Sequence, residues 1–321
     1  MTDRAKPMII AIEEHYWDPV LVAHFSEEEA GKGGELKRRL EDLGEGRLRD
    51  MDEAGIDLQV LSHAPPATHK MDASLAVKLA REVNDRLYET VRAHPTRFAA
   101  FAALPTGAPE EAAKELERSV VKLGFKGALV HGLTNERFLD EEFFWPIFAR
   151  AEALDVPVFL HPALPHPAII EAYYKQYMKS HRGLATAGWG YGVEIGTQAI
   201  RMVLSGIFDR YPRLKIILGH LGEGIPYQLW RIDQAFSRNG QLKRPFRETF
   251  RENFHIVTSG FFSDPALQCA IAEMGIDRVM FGVDWPFVEN KPGVDWIRKA
   301  PLSQDALQKI CNGNARSLLR L

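Results

Sequence analysis

The sequence predicts an α/β protein folded as a (β/α)8 TIM barrel. Three observations predict it. Short apolar or β-branched runs alternate with longer amphipathic ones about eight times, which is the pattern of a parallel sheet wrapped in helices. Composition does not change along the 321 residues, and barrels of this length commonly form one domain. Residues able to do chemistry stand directly after successive apolar runs, at the end of the strands where a barrel carries its function.

The elements follow in order. The first strand is expected over residues 8–12, running into Glu13-Glu14-His15. A polar stretch leads to a helix near 47–54, stopped by Gly55. The second strand is 58–61, and the helix over 73–93 has Leu75, Val77, Leu79 and Val83 as its apolar face. Strand three is 98–103 with a helix at 110–123; strand four is 127–130 with a helix at about 140–154. Strand five is 158–160, followed by a long insertion containing Gly188-Trp189-Gly190-Tyr191-Gly192, read as a flexible lid, and a helix at 194–208. Strands six to eight are 215–218, 256–258 and 279–283, with helices at 225–236, 265–274 and 305–319. One barrel domain over 1–321 is therefore expected, with insertions near 16–46 and 162–192 covering the site. A doubly wound open sheet is the alternative, but it usually carries a Gly-rich dinucleotide turn where Glu13-Glu14-His15 stands.

Bulk properties exclude several classes. A formal net charge of −3 without a basic run gives no nucleic-acid footprint, and no apolar run is long enough to span a bilayer. Cys269 and Cys311 are too few and too far apart for a disulfide framework or a metal-binding pair. With a short, polar start lacking an apolar signal region, a reducing cytoplasm is the expected location.

The residues after each strand are Glu13 and His15, Ser62 and His63, His131, His161, His220, Ser259 and Asp284. Five of the eleven histidines hold such positions, a clustering that single solvated histidines do not produce. Glu13 and His15, one residue apart on a strand, point to one face, with Glu14 directed away. That arrangement suits two ligands on one cation, and His161 and Asp284 are able to complete a mixed nitrogen and oxygen set for Zn²⁺, Mn²⁺ or Fe²⁺. His94, at a helix end, and His255, before the seventh strand, read as structural. His24, His69, His166 and His181 read as loop residues.

Taken together, Glu-x-His after strand one, His161-Pro162, Gly219-His220-Leu221-Gly222-Glu223 and Asp284-Trp285-Pro286-Phe287 resemble the amidohydrolase superfamily. More narrowly they resemble its aminocarboxymuconate-semialdehyde decarboxylase-like branch. The order of these phrases extends over nearly the whole chain. The resemblance implies an amidohydrolase-like barrel with one divalent metal, Zn²⁺ or Mn²⁺, on Glu13, His15, His161 and Asp284. His131 replaces the strand-four lysine that two-metal relatives need. His220 and Glu223 are implied as a functional pair, and Arg231 as a residue holding an anionic substrate, in relatives often across a subunit interface. Arg231 follows His220 by eleven positions on one expected helix, roughly 16 Å along its axis, so a neighbour's site is its destination. A homodimer or homotetramer follows.

The chemistry so implied is non-oxidative decarboxylation of an ortho-hydroxylated aromatic acid of the resorcylate or hydroxybenzoate type, a carboxy-lyase reaction of aromatic catabolism. Asp284 is expected to deliver a proton to the ring with the His220–Glu223 pair behind it. Phe287, Trp189 and Tyr191 are expected to pack the small aromatic carboxylate. The alternative on the same site is a metal-dependent hydrolase of a lactone or amide.

Overall fold

The computed structural model describes residues 6–26, 33–238, 240 and 242–321. Its parallel strand segments are β1 (Ile10–Tyr16), β2 (Leu58–His63), β3 (Phe98–Ala100), β4 (Ala102–Ala103), β5 (Ala128–His131), β6 (Val158–His161), β7 (Ile216–Leu218), β8 (Phe254–Val257) and β9 (Val279–Met280). They pair in the order β1-β2-β3 and β4-β5-β6-β7-β8-β9. β3 and β4 are halves of one stave broken at Phe101, whose N–H still reaches the Leu61 carbonyl at 2.9 Å. Eight staves result. The ring closes where the main-chain N–H groups of Ile12 and His15 donate to Phe281 (3.1 Å) and Trp285 (2.7 Å).

The principal helices are α1 (Glu45–Ala54), α2 (Ala73–Ala93), α3 (Pro109–Leu123), α4 (Trp145–Leu154), α5 (Gly190–Leu204), α6 (Ile225–Ser237), α7 (Asp264–Met274) and α8 (Asn290–Lys299). Local chemistry sets their ends. Asp72 accepts the free N–H groups of Ser74 and Leu75 and so starts α2. Gly55 stops α1 in the left-handed region at φ 80°. Leu79, Val83 and Leu87 bury the inner face of α2, while Leu75 and Val77, expected there, are half-buried. No described helix is long and apolar enough to cross a membrane.

Two apolar layers form the core. Ile10, Ile12, Leu58, Val60, Phe101, Leu129, Phe159, Ile217, Val257 and Met280 fill the barrel, whose base is closed by Leu318 and Leu319 of the C-terminal helix. Alternate residues such as Ile9, Ala11, Leu61, Leu160 and Leu218 face the helices instead. Since Ile10 and Ile12 point inward, strict alternation would turn Glu14 inward and send Glu13 and His15 into the helix layer. A bulge prevents this. The register steps from Ile12↔Val60 to Glu14↔Leu61 and His15↔Ser62, and the extra residue, Glu13, takes φ 79°. The expected convergence of Glu13 and His15 is therefore correct, but a bulge and not plain alternation produces it.

Other expectations need correction. The glycine-rich run expected as a flexible lid enters α5, whose first turn is Gly190-Tyr191-Gly192. His220 and Arg231 do not share a helix. His220–Glu223 is a separate turn with Leu221 at φ 54° and Gly222 at φ 82°, and Gly224 (φ 76°) breaks the chain before α6 begins. The 16 Å axial spacing therefore does not apply. His255 lies inside β8 and His69 is buried beside His131, neither as expected. Helices at Glu35–Glu41, Phe246–Asn253 and Asn290–Lys299 were not expected. Residues 27–32, part of the expected 16–46 insertion, lie outside the described residues.

Candidate metal centre and active site

The C-terminal ends of the staves bring Glu13, His15, His161 and Asp284 together, with one ligand atom from each lying within 4.8 Å of every other. His15 Nε2 is 3.2 Å from Asp284 Oδ1, and His161 Nε2 is 3.5 Å from Glu13 Oε1. Glu13 Oε1, His15 Nε2 and Asp284 Oδ1 are buried without a hydrogen-bond partner. Leaving such atoms unmatched costs about 1–3 kcal/mol each, and their convergence fits a single divalent cation bound by two nitrogens and two carboxylates. The far side of three of the four ligands is held. Ser259 donates to Glu13 Oε2, Ser62 Oγ is 3.2 Å from His15 Nδ1, and His161 Nδ1–H donates to the Pro162 carbonyl at 2.7 Å. Ser62 and Ser259 stand out in the sequence only as strand ends; what they hold is visible only in three dimensions.

Backbone strain gathers here. Glu13 (79°), His220 (47°), Leu221 (54°), Glu223 (54°), Ser259 (23°) and Asp284 (71°) are non-glycine residues at positive φ. Each such conformation costs on the order of 1–3 kcal/mol and persists only where surrounding contacts impose it. For Asp284, Glu14 supplies one such contact by accepting the Val283 N–H at 2.8 Å.

Burial pushes the Glu13 carboxyl up to about 8, against the attraction of His220. Burial also opposes the charged form of Asp284, yet the neighbouring imidazoles of His15 and His220 outweigh it and hold that carboxyl well below its ordinary value. For His220, burial disfavours the imidazolium, but the carboxylates of Glu223 and Glu13 dominate and raise its pKa well above the usual value. His161 is lowered by burial and by its histidine neighbours, so its ring is neutral, as a metal ligand requires. His220 Nδ1–H donates to Glu223 Oε1 at 2.7 Å, and its Nε2 stands 3.7 Å from Asp284 Oδ2.

A sequence profile described as amidohydrolase matches residues 10–321. The chain belongs to the amidohydrolase family. Among curated relatives, γ-resorcylate decarboxylase of Polaromonas sp. strain JS666 is 42% identical over 302 residues, covering 89% of this chain and 90% of that one. γ-Resorcylate decarboxylase of Rhizobium sp. strain MTP-10005 is 40% identical over 330 residues, covering 97% and 98%. The crystal structure of dihydroxybenzoic acid decarboxylase from Polaromonas sp. JS666, with bound manganese and the inhibitor 2-nitroresorcinol, superposes with a TM-score of 0.90 at 40% identity. It covers 98% of this chain and 97% of its own. The fold is thus the amidohydrolase barrel.

The remaining predicted residues vary in placement. The Phe287 ring lies 5.7 Å from that of His15 and is 46% exposed, at the rim of the metal cluster. Tyr191, largely buried, has its phenol pKa raised by burial, with Asp284 contributing. Trp189 is 60% exposed at the start of α5 and Arg231 is exposed on α6, so neither is part of the buried cluster. Gly219 has a role that its place in the sequence does not mark. A Cβ there would lie 2.5 Å from Glu13 Oε2, so its missing side chain makes the space that the carboxylate fills.

Proposed function

We propose that this protein is a metal-dependent carboxy-lyase that removes CO2 from an ortho-hydroxylated benzoate of the resorcylate type. The observation that carries the reading is the four-ligand cluster with its unmatched buried atoms, backed by the hydrogen-bonded His220–Glu223 pair. Glu13, His15, His161 and Asp284 are the ligands for one divalent ion, Mn²⁺ or Zn²⁺. Bound there, the ion acts as a Lewis acid on the substrate's oxygen atoms.

The chain's own groups supply the proton. Glu223 keeps His220 in one orientation and charged, so that Nε2 faces Asp284 with a proton to give. Asp284 passes that proton to the ring carbon bearing the carboxylate. The bond to the carboxylate then breaks, its electron pair returns to the ring, and CO2 leaves. The low pKa of Asp284 makes it a poor resting acid and a strong transient one, which is why a donor must stand beside it. Phe287, Tyr191 and Trp189 enclose the aromatic ring, and the segment 162–192 covers the site within one barrel domain.

Arg231 is assigned to the carboxylate of a substrate in a neighbouring subunit, in a homodimer or homotetramer. Its exposure on α6 beside Trp230 (60%) and Tyr227 (84%) supports this, since exposed aromatics with arginine are typical of subunit contacts. The free thiols of Cys269 and Cys311 support a cytoplasmic location.

Incubating the Mn²⁺-loaded protein with hydroxybenzoates and with aryl lactones and amides tests the activity. CO2 release with loss of ultraviolet absorbance is expected for 2,6-dihydroxybenzoate. Acid release from a lactone or amide without CO2 from any benzoate sinks the proposal. Mixing inactive Arg231→Ala and Asp284→Asn proteins tests the shared site: exchange of subunits should restore activity, and a mixture as inactive as its parts removes Arg231 from the neighbour's site.

A further inference from the structure

His131 ends β5 in register with His161 at the end of β6, and their rings meet edge to face with centroids 5.0 Å apart. Their Nδ1 atoms lie 3.2 Å from each other, so a single hydrogen is shared between them. Which ring owns it is decided by the surroundings. The Pro162 carbonyl, 2.7 Å from His161 Nδ1, requires a hydrogen on that nitrogen. The His63 carbonyl, 2.9 Å from His131 Nε2, requires one there, which leaves the His131 Nδ1 lone pair facing His161. His63 is itself fixed. Its Nδ1–H donates to the Ala64 carbonyl at 2.8 Å, and its Nε2 accepts the Asp18 N–H at 3.0 Å. Its backbone therefore does not shift to follow His131.

We infer that His131 is a positioning residue for the metal: locked by the His63 carbonyl, it accepts from His161 Nδ1–H and holds the bare Nε2 of His161 toward Glu13 and the other ligand atoms. The Pro162 carbonyl belongs to the next residue in the chain and constrains the ring from its own backbone only. His131 adds a second acceptor from a different stave, so two strands fix the plane of the ring. It is not one of the four ligands, and the ligand it is hydrogen-bonded to is His161. Histidine suits the position because it joins a donor at Nε2 to an acceptor at Nδ1 across a rigid ring, spanning from one carbonyl to the neighbouring imidazole. The role rests on the metal site proposed above.

The test compares His131→Asn with His131→Leu, side chains of nearly equal size. Both lose the bond to the His63 carbonyl, but asparagine offers Oδ1 where the Nδ1 lone pair stood. Mn²⁺ affinity is measured by titration calorimetry on metal-free protein, beside the thermal melt of the metal-free form. ¹⁵N chemical shifts of labelled histidines report the His161 tautomer without metal. The expected result is a metal Kd raised about 10- to 100-fold in His131→Leu and about threefold or less in His131→Asn, with similar melting of the two metal-free variants. Equal affinities in the two variants, or parental affinity in His131→Leu, overturn the role. If the leucine variant does not fold, His131→Gln replaces it in the same comparison, since it keeps the donor to His63 and lacks the inner acceptor. A parent protein that binds no metal refutes the metal site itself, which separates the two failures.

Discussion

Replacing Gly219 with alanine adds one methyl group where the Glu13 carboxylate already stands. The backbone tolerates the change, since Gly219 has φ −73° and ψ −173°, open to any L residue. Space is the constraint. The new Cβ would lie 2.5 Å from Oε2, 2.7 Å from Oε1 and 3.0 Å from Cδ of Glu13, whereas ordinary contact begins at 3.4 Å. The carboxylate must then recede by about 0.9 Å, the difference between 3.4 and 2.5 Å, or the strand must yield. Glu13 is fully buried, tied to Ser259 and fixed by its bulge, so little slack exists. A misplacement near 1 Å in a reacting constellation costs roughly 100-fold in rate, about 2.7 kcal/mol. Metal affinity should fall by about tenfold or more. Steady-state decarboxylation of 2,6-dihydroxybenzoate, Mn²⁺ calorimetry and a melt of the metal-free protein measure these separately. A Gly219→Ala protein with parental Kd and kcat would show that the contact with Glu13 is not what the glycine provides.

Asp284→Asn removes the transferable proton and weakens one ligand, and kcat should drop by about 10²- to 10⁴-fold. A variant shown to hold metal yet turning over at the parental rate rules out proton delivery by Asp284. Removing the metal by chelation should lower the melting temperature. For a protein held at a hundredfold excess over Kd, the loss is about 2.7 kcal/mol, or roughly 4 °C for a chain of this length. An unchanged melt would count against a site built into the fold. At the barrel base, burial and the neighbouring Arg278 guanidinium hold the His255 imidazole down at about 3. The unfolded chain then takes up a proton that the folded one refuses, so this contribution is whole above pH 6.5. It fades as pH falls toward 3, by about 2 kcal/mol at pH 5. His255→Gln should flatten the acid limb of stability in urea melts, and an unaltered slope defeats the assignment.

The strands, their order and the polar residues at their ends are legible because each is a local property of the sequence. Glu13, His15, His161 and Asp284 could be gathered from position alone. The bulge could not, because Glu13-Glu14-His15 carries no glycine or other mark of an extra residue, and a period-two pattern predicts the wrong face for all three. The break between His220 and Arg231 does have a mark, Gly222 and Gly224, and the helix expected over 225–236 begins after it, so placing His220 on that helix overlooks a signal the sequence carries. Gly219 and His131 were beyond reach for a different reason. Their roles are defined by side chains from other staves, at distances no single sequence encodes. Arg47, at the start of the helix expected near 47–54, is fully buried, donates to the His15 carbonyl and lies 4.0 Å from the Trp285 ring centre, contacts that its position in the sequence does not mark.

The seam between the first and last staves has a consequence for how the molecule is assembled. Glu14 and Val283, 269 positions apart, meet there, flanked by ligands that belong to opposite ends of the chain. A nascent or truncated chain lacking β9 therefore has no complete cup, and whatever the ion contributes goes wholly to the closed ring. Loop closure over such a span is entropically costly, so an ion held by ligands from both ends of the chain would favour the closed ring over the open one. Amide exchange along β1 and the 280–285 segment should slow together when metal is added, while strands on the far side of the barrel, such as β5 and β6, respond less.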